Sequence, residues 1–215
     1  MDEITDNVTF LSGLRERDYM DFIAKKVVAN SVVWDVGANA GYLALCLATR
    51  LKGVNNVRLV AFEPDGPHYE QHLQPNLGLN PGLAVTPYRV ALGGERAQRE
   101  FLSHGSGDGS ARLASSMEGS KPGKCVASLV EVRTADGFVE EHPRPSWIII
   151  DVEGFAGGVL EGASKLFQQF KPTVAVEIHD AKEDAAVTSF LGRLNYRKTE
   201  ILSPYGRHQV WSFDQ

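Results

Sequence analysis

Polar side chains follow four short apolar runs in this sequence. Asp35 and Asn39 come after Val32-Val33-Trp34, Glu63 after Leu59-Val60-Ala61-Phe62, Asp151 and Glu153 after Ile148-Ile149-Ile150, and Glu177, His179 and Asp180 after Val174-Ala175-Val176. Each run has the length and β-branched content of a buried strand, so the polar groups stand at strand ends. A scaffold alone has no need to repeat that on four strands. Carboxylates and an imidazole gathered there can bind polar ligands, move protons or collect Mg²⁺, for which oxygen ligands are suited. The plainer alternative is a set of solvated acids at a sheet edge.

The first of these ends reads Asp35-Val36-Gly37-Ala38-Asn39-Ala40-Gly41. Two glycines in a strand-to-helix turn let a ligand approach the backbone, and the following helix offers free N–H groups. The alternative is a tight turn with no ligand. The glycine spacing is G-x-x-x-G, not the G-x-G-x-x-G that seats a pyrophosphate. An acid two positions before the first glycine suits a ligand carrying an ammonium group better than one carrying phosphates. Glu63 ends the next strand, where a carboxylate can accept hydrogen bonds from both hydroxyls of a ribose. It could instead cap the following helix, a post that Asp65 can also fill.

The elements that must position these groups alternate between strand-like and helix-like patterns, which predicts a parallel sheet covered on both faces. A lead-in helix is expected over 14–29, within an N-terminal segment 1–30, with Tyr19, Phe22, Ile23 and Val27 inward. Strands are expected at 31–36, 57–62, 85–92, 147–151 and 173–178, and helices at 42–52 and 67–80. Pro75 supplies no N–H and should kink or shorten the second of those helices. After the fourth strand, Val159, Leu160, Ala163, Leu166, Phe167 and Phe170 fall at one helical spacing, ended by Pro172. A helix carrying Val187, Phe190, Leu191 and Leu194 leads to runs at 197–202 and 208–213, spaced as an antiparallel hairpin. Residues 93–146 exceed a simple crossover and form an insertion. Its Ser/Gly-rich part, 103–123, is expected to be a mobile loop or a substrate lid, and its flanks, 99–102 and 125–133, to be strands.

With 215 residues, 43% hydrophobic and 23% charged, the chain suits one domain over 1–215 with a real core. A net charge of −5 gives no support to a nucleic-acid surface. No apolar run approaches the ~20 residues of a membrane helix. The acidic start, Met1 to Asp6, lacks the plan of a signal peptide, so a cytoplasmic location is expected. Cys46, in an apolar helical run, is expected to be buried and reduced. His68, His72, His104, His142 and His208 show no ligand spacing and are expected on surfaces or loops.

The segments 33–42, 61–64, 151–154 and 176–179, in that order, resemble the FkbM-type methyltransferases of the class I, Rossmann-like group. The resemblance implies an S-adenosylmethionine-dependent O-methyltransferase acting on hydroxyls of small molecules such as sugars and polyketide-type products. It implies a doubly wound α/β sheet of seven strands, order 3-2-1-4-5-7-6 with strand 7 antiparallel, and a β insertion between strands 3 and 4. It also implies that Asp35, Gly37, Ala38, Asn39 and Gly41 hold the methionine part of the cofactor. Glu63 would take the ribose, with Pro64 beside it, and Ala91 and Leu92 would border the adenine. Many relatives carry a further acid two positions after the glycine of Asp-Val-Glu-Gly, where this sequence has Ala156. Methyl transfer to a hydroxyl needs alignment and a base. Asp151 ranks first for that role, His179 second for its match to neutral pH, and Glu153 third. Two rivals stand beside this reading: a nicotinamide-dependent oxidoreductase on the same fold, and a cofactor-binding module without catalysis.

Overall fold

The computed structural model describes residues 16–103, 112–113, 126–201 and 207–214. A helix α1 (Arg17–Lys26) leads into β1 (Val32–Val36), α2 (Tyr42–Arg50) and β2 (Arg58–Phe62). A composite helix α3 spans 66–78 and is followed by β3 (Val85–Tyr88), β4 (Ala91–Leu92), β5 (Ala97–Ser103), β6 (Arg112–Leu113) and β7 (Val126–Arg133). The second half runs α4 (Ala135–Glu141), β8 (Trp147–Ile150), α5 (Ala156–Glu161), α6 (Ser164–Phe170), β9 (Thr173–Glu177), α7 (Ala181–Arg193), β10 (Tyr196–Ile201) and β11 (His208–Phe213).

Seven strands form the main sheet in the order β10-β11-β9-β8-β1-β2-β3. The β1–β2, β2–β3, β1–β8 and β8–β9 pairs are parallel, and β11 runs antiparallel to both β9 and β10. A mostly parallel sheet needs cover on both faces, and the strands alternate accordingly. Ile148 and Ile150 of β8 join Trp34, Val36, Phe62, Phe138 and Phe167 on one face. Trp147 and Ile149 join Val33, Leu59, Leu47 and Ile23 on the other. The central strands are therefore fixed on both sides, and so are the residues that leave their carboxyl ends. No helix among the described residues is long and apolar enough to cross a membrane.

Four local expectations are corrected. The apolar stretch 85–92 is two strands: β3 completes the edge of the main sheet, while β4 pairs with β7 in a second sheet ordered β4-β7-β5-β6. The helix after the fourth strand breaks at Gly162-Ala163, and Gly162 packs so closely on Gly93 that a side chain there would lie 1.9 Å from its carbonyl oxygen. Pro75 does not end its helix, which runs on to Gly78. The turn before it, Tyr69–Leu73, is wound as a π-helix and the Gln74 N–H bonds to Tyr69 O, so the ladder passes the missing donor. Cys46 is partly exposed rather than buried. Of the segment 103–123, all but Ser103 and the two residues of β6 lies outside the described residues, as do Cys125 and the turn at 202–206.

Candidate active site

The loop from β1 to α2 is locked by the protein itself. Gly37 N–H and Ala38 N–H both donate to Phe62 O, and the Asn39 N–H donates to Glu63 Oε2 at 2.8 Å. Gly37, Asn39 and Gly41 have φ of 94°, 49° and 83°, the left-handed region. A Cβ on Gly37 would lie 1.8 Å from the Asp151 carbonyl oxygen, and one on Gly41 would lie 2.6 Å from Leu73 Cδ1. Gly37 is thus required by close packing against backbone and Gly41 by its positive φ, and Gly41 does not line the cleft. Asp35 lies beneath the loop, 2% exposed, with Oδ2 lacking a hydrogen-bond partner. Burial, and then the Asp151 and Glu63 carboxylates, push its carboxyl up to about 8, against a backbone hydrogen bond from Ala44. Ala38 is core. Of the five residues expected on this loop, Gly37 and Asn39 face the cleft.

That pKa has a consequence for stability. The native state keeps a proton on Asp35 that the unfolded chain releases above its ordinary value of 3.8. Stability is therefore lost as pH rises from about 4 to about 8. Asp35→Asn should flatten this fall by on the order of a few kcal/mol. Urea denaturation at pH 5 and pH 8 measures it, and an equal fall in both proteins would contradict the assignment.

Across the loop, Glu63 is 5% exposed and accepts N–H bonds on both oxygens, from Asn39 on Oε2 and from Asp65 on Oε1, each at 2.8 Å. Burial raises its carboxyl to about 7, against those two bonds. Each oxygen retains a second lone pair. Glu63 opens on a cleft whose wall continues through Pro64, Val90, Ala91, Leu92, Phe101 and Phe155. A buried carboxylate beside an apolar slot is a donor set that fits a nucleoside: a diol at one end and a flat ring at the other. The same cleft reaches Asp151, Val152 and Glu153.

Asp65 occupies the N-cap of α3 without capping it. Its Oδ2 instead lies 2.8 Å from His68 Nδ1, and both side chains are 3% exposed or less. His68 forms part of the cleft wall, not the surface. His208 is also buried, its Nε2 3.4 Å from Glu177 Oε2 and its ring stacked on Tyr19 at 4.2 Å. His142 packs on Phe138 at 4.0 Å, His72 is partly buried, and His104 lies outside the described residues.

At the far end of the cleft, Asp151 leaves β8 with its N–H bonded to Val36 O, and its side chain is 40% exposed. Glu153 and Gly154 take φ of 46° and 86°, a reversal that brings Glu153 back to the edge. His179 Nε2 lies 3.4 Å from Asp151 Oδ1 and 3.8 Å from Glu153 Oε2. Burial opposes a charge on His179, but Asp151, Glu183 and Glu153 outweigh it and raise the imidazole from 6.5 to about 10. An imidazole held protonated at neutral pH lacks the free lone pair a general base needs, so these surroundings do not favour the neutral-pH match expected of His179. It also cannot ligate a metal without losing that proton. Asp151, Glu177 and His179 do bring ligand atoms within 4.8 Å of one another. Glu177, however, is engaged by His208: burial raises its carboxyl, yet the imidazole beside it holds it below its ordinary value. The chemistry of these groups is that of charge pairs, and it gives Mg²⁺ no support.

The residue missed in the sequence is Glu183, 3% exposed. Its Oε2 accepts the His179 N–H at 2.9 Å and lies 3.2 Å from His179 Nδ1, while its Oε1 accepts the Ala156 N–H at 2.9 Å. One carboxylate thus ties the β9 end to the start of α5. Asp180 accepts the Glu183 N–H at 2.8 Å as N-cap, so Asp180-x-x-Glu183 was the available signal: it has the sequence pattern of a capping box, although Glu183 accepts from His179 N–H and not from Asp180 N–H.

The sequence model of the methyltransferase FkbM domain matches residues 35–198, from the acid before the glycine turn to the strand after α7. The chain belongs to the FkbM methyltransferase family. A hexuronic acid methyltransferase, AglP, of Haloferax volcanii is 30% identical over 189 residues, which is 86% of this chain and 71% of that one. Among solved structures, an FkbM methyltransferase from Methylobacillus flagellatus KT aligns with a TM-score of 0.62 at 21% identity over 86% of this chain. This chain spans 44% of that longer one. A precorrin-6y C5,15-methyltransferase from Geobacter metallireducens GS-15 aligns at 0.53 with 13% identity, covering 89% of this chain and 86% of that one. A SAM-dependent O-methyltransferase from Thermotoga maritima aligns at 0.50 with 12% identity, covering 91% and 65%. These likenesses establish the α/β methyltransferase fold. The FkbM matches carry the family: its sequence model covers the glycine loop, Glu63, the Asp151 turn and the His179 edge.

Proposed function

We propose that this protein is an S-adenosylmethionine-dependent methyltransferase that methylates a hydroxyl of a sugar-like small molecule. The observation that carries it is one cleft joining the buried Glu63 carboxylate and its apolar slot to the Asp151 and Glu153 carboxylates. Family membership and the name of the Haloferax relative support the reading. Glu63 would hold the ribose, Pro64, Ala91 and Leu92 the adenine, and Gly37 and Asn39 the methionine part. Asp35, Ala38 and Gly41 act through the shape of the loop. The bound cofactor supplies an electrophilic methyl on a sulfonium.

What the chain supplies is alignment and a proton acceptor. Asp151 orients the acceptor hydroxyl and takes its proton, with Glu153 beside it. His179, kept charged, holds Asp151 in place and balances the acids around it. The fit to a hydroxylated acceptor has the same origin: carboxylates accept hydrogen bonds from hydroxyls and repel a bare acid unless an imidazolium meets it.

Incubation with isotopically labelled methyl donor and a panel of sugars and hexuronic acid glycosides tests the substrate class. The expected result is label on a hydroxyl of at least one panel member. Label on a ring nitrogen or carbon instead, or on a carboxylate as a methyl ester, would contradict the O-methylation of a hydroxyl.

A further inference from the structure

His68 carries a nitrogen that the fold leaves without a partner. The residue is 2% exposed and belongs to the wall of the cleft. Its Nδ1 lies 2.8 Å from Asp65 Oδ2, an ion-pair distance outside hydrogen-bond geometry, since that oxygen too has no hydrogen-bond partner. Assigning the proton to Nδ1, the nitrogen beside the carboxylate, leaves Nε2 as the acceptor. Nε2 is buried and makes no hydrogen bond within the protein. The nearest imidazole does not serve it, since the His72 ring centre is 5.9 Å away and tilted by 41°. Buried acceptors without partners are uncommon, because desolvation is not compensated. Asp65 declines the ordinary role of its position, which is to cap α3, and orients this imidazole instead.

The turn that fixes His68 also fixes Glu63. The Asp65 N–H donates to Glu63 Oε1 while the Asp65 carboxylate faces His68. The carboxylate and the imidazole therefore line one cleft together with Pro64, Ala91 and Leu92.

We infer that His68 Nε2 accepts a hydrogen bond from the adenosine half of the bound ligand, and that the Asp65–His68 pair is a nucleoside-recognition element of this cleft. The inference rests on the proposed binding of a nucleoside beside Glu63. The donor chemistry is a neutral O–H or N–H: a ribose hydroxyl, or the exocyclic amine of adenine.

Calorimetry with S-adenosylhomocysteine tests it on the wild type, His68→Phe and His68→Gln, each shown to be folded by its melting transition. The phenyl ring keeps the packing and removes the acceptor, and the glutamine amide restores an acceptor at a similar reach. Affinity should fall about tenfold in His68→Phe and recover in part in His68→Gln. The 2′-deoxy, 3′-deoxy and S-inosyl analogues then identify the donor. The analogue lacking it should show no further loss in His68→Phe beyond that variant's own, while the wild type loses about tenfold. Affinity for S-adenosylhomocysteine within twofold of wild type in His68→Phe would overturn the inference. So would an equal loss for all ligands with no coupling to any analogue, which marks a packing role only. Failure of the wild type to bind S-adenosylhomocysteine is a different outcome: it overturns the nucleoside reading and this inference with it.

Discussion

Asp151→Asn is expected to leave the fold intact and to lower turnover by about a hundredfold or more. The side chain is not what holds β8: that strand is anchored by Ile148, Ile149 and Ile150, each 1% exposed or less, and by the Asp151 backbone N–H to Val36 O. The carboxylate itself is 40% exposed at the cleft, within reach of an acceptor. An asparagine fills the same space and accepts a hydrogen bond from the acceptor hydroxyl, but it cannot take its proton or balance His179. His179→Ala should cost less, because His179 acts by positioning Asp151. The pH dependence separates the two. With His179 held near 10, no limb of kcat near the ordinary histidine value of 6.5 should depend on His179. A limb there that disappears in His179→Ala, or full turnover in Asp151→Asn, would contradict this assignment.

Gly37→Ala is expected to cost the fold several kcal/mol, on the order of 3 or more, or to prevent folding altogether. At φ 94° an L-residue is strained whatever the space around it, and here the new Cβ would lie 1.8 Å from the Asp151 carbonyl oxygen. That oxygen is backbone held by the β1–β8 pairing, so relief requires moving two central strands apart. Gly41→Ala shares the positive φ, yet its Cβ meets only the end of the Leu73 side chain, which can turn away. Chemical denaturation should therefore rank Gly37→Ala well below Gly41→Ala in stability. The reverse order would show that the turn, not the strand contact, sets the requirement for glycine.

The mostly parallel sheet and its polar edge were legible because they rest on local patterns. The β-branched runs before Asp35, Glu63, Asp151 and Glu177 can only be buried strands, and the residues just past a buried strand in such a sheet sit at its carboxyl edge. Other features depend on contacts that sequence periodicity does not encode. Nothing local in 85–92 says that Ala91 and Leu92 leave the main sheet to pair with Val132 and Arg133, more than forty residues away. A single histidine has no period, so His68 and His208 could not be placed in the interior before their partners Asp65 and Glu177 were seen beside them. His179 looked suited to neutral-pH base chemistry because a free imidazole is. Its charge is decided by Asp151 and Glu153, on the turn after β8, and by Glu183, in the first turn of α7. Glu183 alone had a local signature, three residues after its N-cap Asp180, and its carboxylate turned out to serve His179 and Ala156 instead of the cap.

The central claim is that the cleft beside Glu63 binds the nucleoside of S-adenosylmethionine. Calorimetry of S-adenosylhomocysteine with the wild type and Glu63→Ala tests it most directly, with a nicotinamide dinucleotide as the competing ligand. The wild type should bind S-adenosylhomocysteine and not the dinucleotide. Glu63→Ala should lose about 1.5–3 kcal/mol for each hydroxyl bond to the carboxylate. Unchanged affinity in Glu63→Ala, or binding of the dinucleotide in preference, would contradict the claim.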